Sequence, residues 1–189
     1  MSIDLITKTN VAGLYEKSVA VFSSCGRHRV ELRREWFPSG PTVNFLMLNP
    51  STADETKNDP TVERCQRRAL AGGFGALVVT NLFSLRSTDP AGLLCGVPNH
   101  AANDAYILAN ARASSLVVCA WGSQAALGRL VVDRAAAVVA KLRAAGVALH
   151  GLRWNRDGQP AHPLYIPLAV SPTLWAPTVD PSPTKEPQP

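Results

Sequence analysis

The sequence predicts an α/β protein: three layers, α/β/α, built on a central, mostly parallel four-stranded sheet, with a β-hairpin added at the amino end. Three observations carry that expectation. Short apolar runs rich in strand-favouring residues alternate with longer segments of helical periodicity, the pattern of a parallel sheet covered on both faces. Helix start and stop signals fall between those runs. A chain of 189 residues, 46% hydrophobic and 17% charged, suits one core better than two.

In chain order, residues 19–22 and 30–36, separated by Cys25-Gly26-Arg27, read as the hairpin. The first core strand is 43–48, VNFLML. Asp59-Pro60 then places an N-cap before a proline at the first helical position. Val62, Cys65, Ala69 and Leu70 recur on one face of that helix, and Gly72-Gly73 stops it. The second core strand is 77–80, and residues 103–113 follow as a helix with Tyr106, Ile107 and Ala111 on its inner face. The third strand is 116–120. After it, 123–145 is strongly helix-forming, and Gly128 divides it into a short helix and a longer one. A last strand is expected between Val147 and Ile166. Residues 1–175 are read as one domain and the proline-dense 176–189 as a tail.

A formal charge of +5 and a pI near 9.3 admit an anionic partner without requiring one. No apolar run approaches the roughly 20 residues of a membrane span, and MSIDLITKTN has neither the basic start nor the apolar stretch of a signal peptide. The expected location is cytoplasmic. Cys25, Cys65, Cys95 and Cys119 stand singly, without a C-x-x-C pair, and are read as buried free thiols. No H-x-x-x-H or H-E-x-x-H pattern supports a metal site.

Ligands of open α/β sheets bind beyond the carboxyl ends of the strands. That rule selects Asn49-Pro50-Ser51-Thr52, Asn81-Leu82-Phe83, Trp121-Gly122-Ser123 and, in the last region, His162-Pro163. An asparagine amide carries donors and an acceptor, so Asn49 and Asn81 can orient a water or read the edge of a nucleobase; asparagine at a strand end also serves turns for backbone reasons alone. His162 is a candidate catalytic group or a satisfied structural one. The polar stretch 53–59 fits a substrate lid or a solvated connection equally. Gly72-Gly73-Phe74-Gly75 follows a helix and lacks G-K-[ST], which excludes a phosphate loop. Arg64, Arg67 and Arg68 are expected opposite the apolar face of the first helix, and Arg27, Arg29, Arg33 and Arg34 crowd the hairpin. Both groups suit phosphate tracking or a plain solvated surface.

Taken together, Leu48-Asn49-Pro50-Ser51-Thr52-Ala53-Asp54, Asn58-Asp59-Pro60-Thr61, Asn81-Leu82-Phe83-Ser84-Leu85-Arg86, Ala120-Trp121-Gly122 and His162-Pro163-Leu164-Tyr165-Ile166-Pro167 resemble the bacterial and phage family of unknown function DUF1643. More distantly, the order of motifs is similar to the uracil-DNA glycosylase superfamily. That resemblance implies that Asn49 holds an attacking water, Asn81 reads a flipped base and His162 stabilises negative charge on the departing base. Pro50, Ser51, Thr52, Phe83 and Trp121 would contact the substrate, and Arg64, Arg67, Arg68 and Arg86 the nucleic acid. Departures are Met47 and Ser51 where the superfamily favours glycine, and Leu164-Tyr165 where Ser-Pro is usual. The implied activity is hydrolysis of the N-glycosidic bond of a damaged or modified base in DNA, with no cofactor and no metal. The alternatives are the same fold acting on a free or hypermodified nucleoside or nucleotide, and a non-catalytic module binding a nucleobase or nucleic acid.

Overall fold

Strand β4, Thr42–Met47, is apolar along almost its whole length because both of its faces are covered. Val43, Phe45 and Met47 pack with Val62, Cys65 and Ala69 of helix α1, Pro60–Ala71. Leu46 and the following Leu48 pack with Ile107 and Ala111 of α2, Asn103–Ala113, and with Val131, Ala135, Val138 and Leu142 of α3, Arg129–Ala144. One helix therefore covers one face and two cover the other, as expected for three layers. The computed structural model describes residues 4–11 and 17–176.

The sheet is larger than the expected four strands. Among the described residues, eight strands lie in the order β1-β2-β3-β5-β4-β6-β7-β8. The remaining strands are β1 Leu5–Asn10, β2 Lys17–Ser23, β3 Arg29–Glu35, β5 Ala76–Asn81, β6 Leu116–Cys119, β7 Leu149–Gly151 and β8 Thr173–Leu174. The four expected core strands are present as the parallel block β5-β4-β6-β7. The hairpin is not an appendage. Its second strand, β3, pairs antiparallel with β5, Leu32 opposite Val79, and carries the sheet outward to β2 and β1. At the other edge β8 pairs antiparallel with β7. The expected four-stranded sheet with an added hairpin is thus corrected to one mixed sheet.

Helix α1 starts as its sequence dictates: the Asp59 carboxylate accepts the Val62 N–H at 2.8 Å. Gly128, at φ +46, separates a 3-10 turn, Ala125–Leu127, from α3. The last region departs from expectation. Strand β7 has only three residues, and the chain then reverses through a bridge between Trp154 and Pro160. His162 begins a 3-10 turn, Pro163–Tyr165, instead of ending a strand. Residues 177–189 of the expected tail lie outside the described residues. Cys65 and Cys119 are buried as expected, whereas Cys25 and Cys95 are exposed. No helix among the described residues is long and apolar enough to cross a membrane.

Candidate functional site

Because β5, β4 and β6 are parallel, their carboxyl ends reach one edge of the sheet. Met47 stands opposite Asn81, and Leu46 opposite Cys119. The residues that follow, Asn49 and Trp121, and Asn81 itself, surround a cavity of about 200 Å³. That is below the roughly 300–1,000 Å³ of sites for drug-sized ligands and suits a single small ring or sugar. Ser51, from the turn after β4, and His162 complete the expected lining.

Each of these side chains is held. The Asn49 amide nitrogen donates to the carbonyls of Ser87 at 2.8 Å and Pro50 at 3.0 Å, which commits its donors to the scaffold and leaves its oxygen as the acceptor toward a ligand or water. Asn81 is buried, and its Oδ1 accepts from Arg29 at 3.5 Å. Trp121 is fully buried and donates its indole N–H to Gln159 at 2.7 Å. Gly122 is needed for two reasons: its φ of +76 is left-handed, and a Cβ there would stand 3.2 Å from the His162 Cβ. The glycine lets the His162 backbone close over the end of β6. The Leu164 N–H approaches His162 Nδ1 at 3.4 Å, which assigns the ring proton to Nε2. Burial holds the His162 pKa below its usual value, against the opposing pull of Asp59, so the neutral ring prevails at neutral pH.

Three expected contacts fall elsewhere. Phe83 is buried in the core shared with Leu93 and Ile107. Thr52 is exposed and Pro50 is buried, and neither lines the cavity. Arg68 is 7% exposed and donates to the carbonyls of Ile166, Pro167, Leu168 and Val170. Arg64 donates to Ile166 at 2.8 Å and Arg67 pairs with Glu63 at 2.9 Å. Arg86 donates to the Gly26 carbonyl at 3.2 Å and packs over Phe22. The helix α1 arginines are therefore not a uniform solvated stripe; two of the three strap the segment after His162 to the helix.

The hairpin arginines divide likewise. Arg33 pairs with Glu35, whereas Arg29 and Arg34 are 2% and 1% exposed. Arg34 donates to Asn58, Ser18 and the Asp54 and Lys57 carbonyls, so the polar stretch 53–59 is pinned and not a free connection. The Asp54 carboxylate adds a local turn by accepting the Thr56 and Lys57 N–H groups.

Two charged residues of the lining were missed as site residues. Asp59, read as a helix cap and as the last residue of the polar stretch 53–59, lines the cavity beside Thr61 and Val62. Arg29 lines it too, because β3 runs antiparallel to β5 and so brings its amino end to the carboxyl edge of the parallel strands. Ser87, Thr88 and Gln124 also contribute, from the loops after β5 and β6. No group of three or more His, Cys, Asp or Glu side chains among the described residues is placed to hold a metal ion.

Fold and site together define an α/β protein with a small polar cavity at the carboxyl edge of its parallel strands. The family model described as protein of unknown function (DUF1643) matches residues 29–164, and the chain belongs to that family. The match begins at Arg29 and runs past His162, so it spans every residue of the cavity lining. No curated protein and no solved structure matches the chain.

Proposed function

We propose that this chain hydrolyses the N-glycosidic bond of a damaged or modified nucleobase in DNA. The observation that carries the reading is the convergence of Asn49, Asn81, His162 and Asp59 on one small cavity. The motif order that resembles the uracil-DNA glycosylase superfamily supports it. Asn49, its donors tied down, presents an oxygen that orients a water toward the sugar. As the C–N bond breaks, its electron pair leaves with the base, and the neutral His162 donates a hydrogen bond from Nε2 to the developing negative charge. The water oxygen forms the new bond to the sugar carbon. Asp59 is the carboxylate available to face the positive sugar and to take the proton the water loses, a role that an amide cannot fill. That proton then passes to the departed base. Asn81 reads the polar edge of the base.

A second reading keeps the chemistry and changes the substrate to a free nucleoside or nucleotide. It is favoured by Arg64 and Arg68, which already donate to carbonyls of the chain after His162. A duplex substrate would also require extrusion of the base, at a few kcal/mol. The test is to incubate the protein with oligonucleotides that each contain one modified base, and with the same bases as free nucleosides, scoring abasic sites and released base. Asn49→Ala should lower release about a hundredfold. Release from neither substrate class, across the panel, refutes the hydrolase.

A further inference from the structure

Strand β3 contains two buried arginines whose circumstances differ. Arg34 has donors engaged by the side chains of Asn58 and Ser18 and by the carbonyls of Arg33, Asp54 and Lys57. It is a strut. Arg29 has two partners, the Ala53 carbonyl at 2.8 Å and Asn81 Oδ1 at the long distance of 3.5 Å. Its Nε is buried without a partner. A guanidinium offers five donors in a fixed fork suited to an oxyanion. An unsatisfied buried cation is costly, and a native protein retains one where something else completes it.

No carboxylate lies within ion-pairing distance of Arg29 among the described residues, although four other ion pairs form there. Burial lowers its pKa to about 10, so it remains charged at neutral pH. Asp59, the acidic residue of the same lining, already has Oδ1 occupied by the Val62 N–H at the start of α1. Of the two buried arginines, Arg29 is the one that lines the cavity.

We propose that Arg29 is the specificity-determining residue of this cavity and that its ligand carries an oxyanion, which completes the guanidinium. The proposal rests on the nucleobase reading above for the rest of the ligand. Asn81, which Arg29 touches, reads the neutral polar edge, and Arg29 reads the charge beside it. The oxyanion is either a carboxylate on the base or the phosphate of a nucleotide, and both present the same chemistry to the fork.

The experiment is a calorimetric titration of the full chain with uracil, with orotate (uracil bearing a ring carboxylate), with deoxyuridine monophosphate and with inorganic phosphate. Orotate or the nucleotide should bind at least about tenfold tighter than uracil, the value of one charge-assisted hydrogen bond. A preference for orotate assigns the carboxylate as the source, and one for the nucleotide assigns the phosphate. Arg29→Met should abolish the preference and Arg29→Lys should keep part of it. Equal binding of uracil and both anionic ligands to the unaltered protein overturns the proposal without recourse to a variant. So does a preference that survives in a folded Arg29→Met. If phosphate alone binds, Arg29-dependently and as tightly as the nucleotide, while uracil does not bind, the anion site stands and the nucleobase reading falls.

Discussion

Replacing Arg68 by Met tests whether helix α1 carries a solvated basic stripe or an internal strap. The guanidinium donates to Val170 at 2.6 Å, Pro167 at 3.0 Å, Ile166 at 3.1 Å and Leu168 at 3.2 Å. Hydrogen bonds from a charged donor are worth about 1.5–3 kcal/mol each before compensation. Pro167 and Leu168 are exposed, so their carbonyls recover water, and Ile166 keeps Arg64 as a donor at 2.8 Å. What remains is the Val170 bond and a fraction of the others, about 2–3 kcal/mol, of which methionine returns a part through the apolar contacts of its stem. Urea unfolding should therefore show a loss of about 2 kcal/mol at unchanged m-value. Arg67→Ala, at the exposed pair with Glu63, should stay within about 0.5 kcal/mol. A loss for Arg68→Met as small as that of Arg67→Ala would refute the strap and return the whole stripe to solvent.

Two further outcomes are expected. Burial, assisted by electrostatic repulsion from the neighbouring His100 and Arg27, holds the His28 pKa below its usual 6.5. Below about pH 6.5 the unfolded chain takes up a proton that the native chain refuses, so stability falls on acidification from there down to the native pKa. His28→Gln should shrink the loss between about pH 7.5 and about pH 5.5 in urea titrations, leaving the part of the same sign due to His162; an unchanged loss would show that His28 does not titrate in this way. Among the thiols, burial pushes Cys65 and Cys119 up, whereas the Ser23 hydroxyl, assisted by Arg27, lowers Cys25 to about 7. Iodoacetamide should label Cys25 and Cys95 in the native protein, with the Cys25 rate half-maximal near pH 7. Labelled Cys65 or Cys119, read by mass spectrometry of the digested protein, would contradict their burial.

The strands most legible in the sequence were those buried on both faces. Strands β4, β5 and β6 read as largely apolar runs because both faces are covered, and the buried Asn44 and Thr80 are tolerated as a hydrogen-bonded pair at 3.0 Å. Strand β1 is mostly exposed and polar, and β8 has two residues, so neither leaves an apolar signature. Arginine at 29 and 34 disguised the integration of β3, since a buried cation that reaches the carbonyls of a remote loop has the same letter as a solvated one. Asn49, Asn81 and Trp121 could be placed by the strand-end rule, which needs only topology; His162, expected at a strand end, reaches the cavity from the start of a 3-10 turn instead. Arg29 and Asp59 could not. The first depends on an antiparallel register formed across long sequence separation, and the second has a helix cap as a sufficient local explanation.

The position of β3 in the sheet also sets an order of assembly. It precedes β4 in the chain, yet its partner is β5, made only after β4 and α1. Until β5 is made, the β3 edge of a β2–β3 hairpin has no partner to pair with, the kind of edge that recruits other chains. The cation of the cavity is in consequence delivered only once β5 is made and paired. No partly folded form that lacks the β3–β5 ladder has Arg29 beside Asn81. A ligand that needs both residues binds only forms that carry this ladder, and it stabilises them by mass action against every precursor that lacks it.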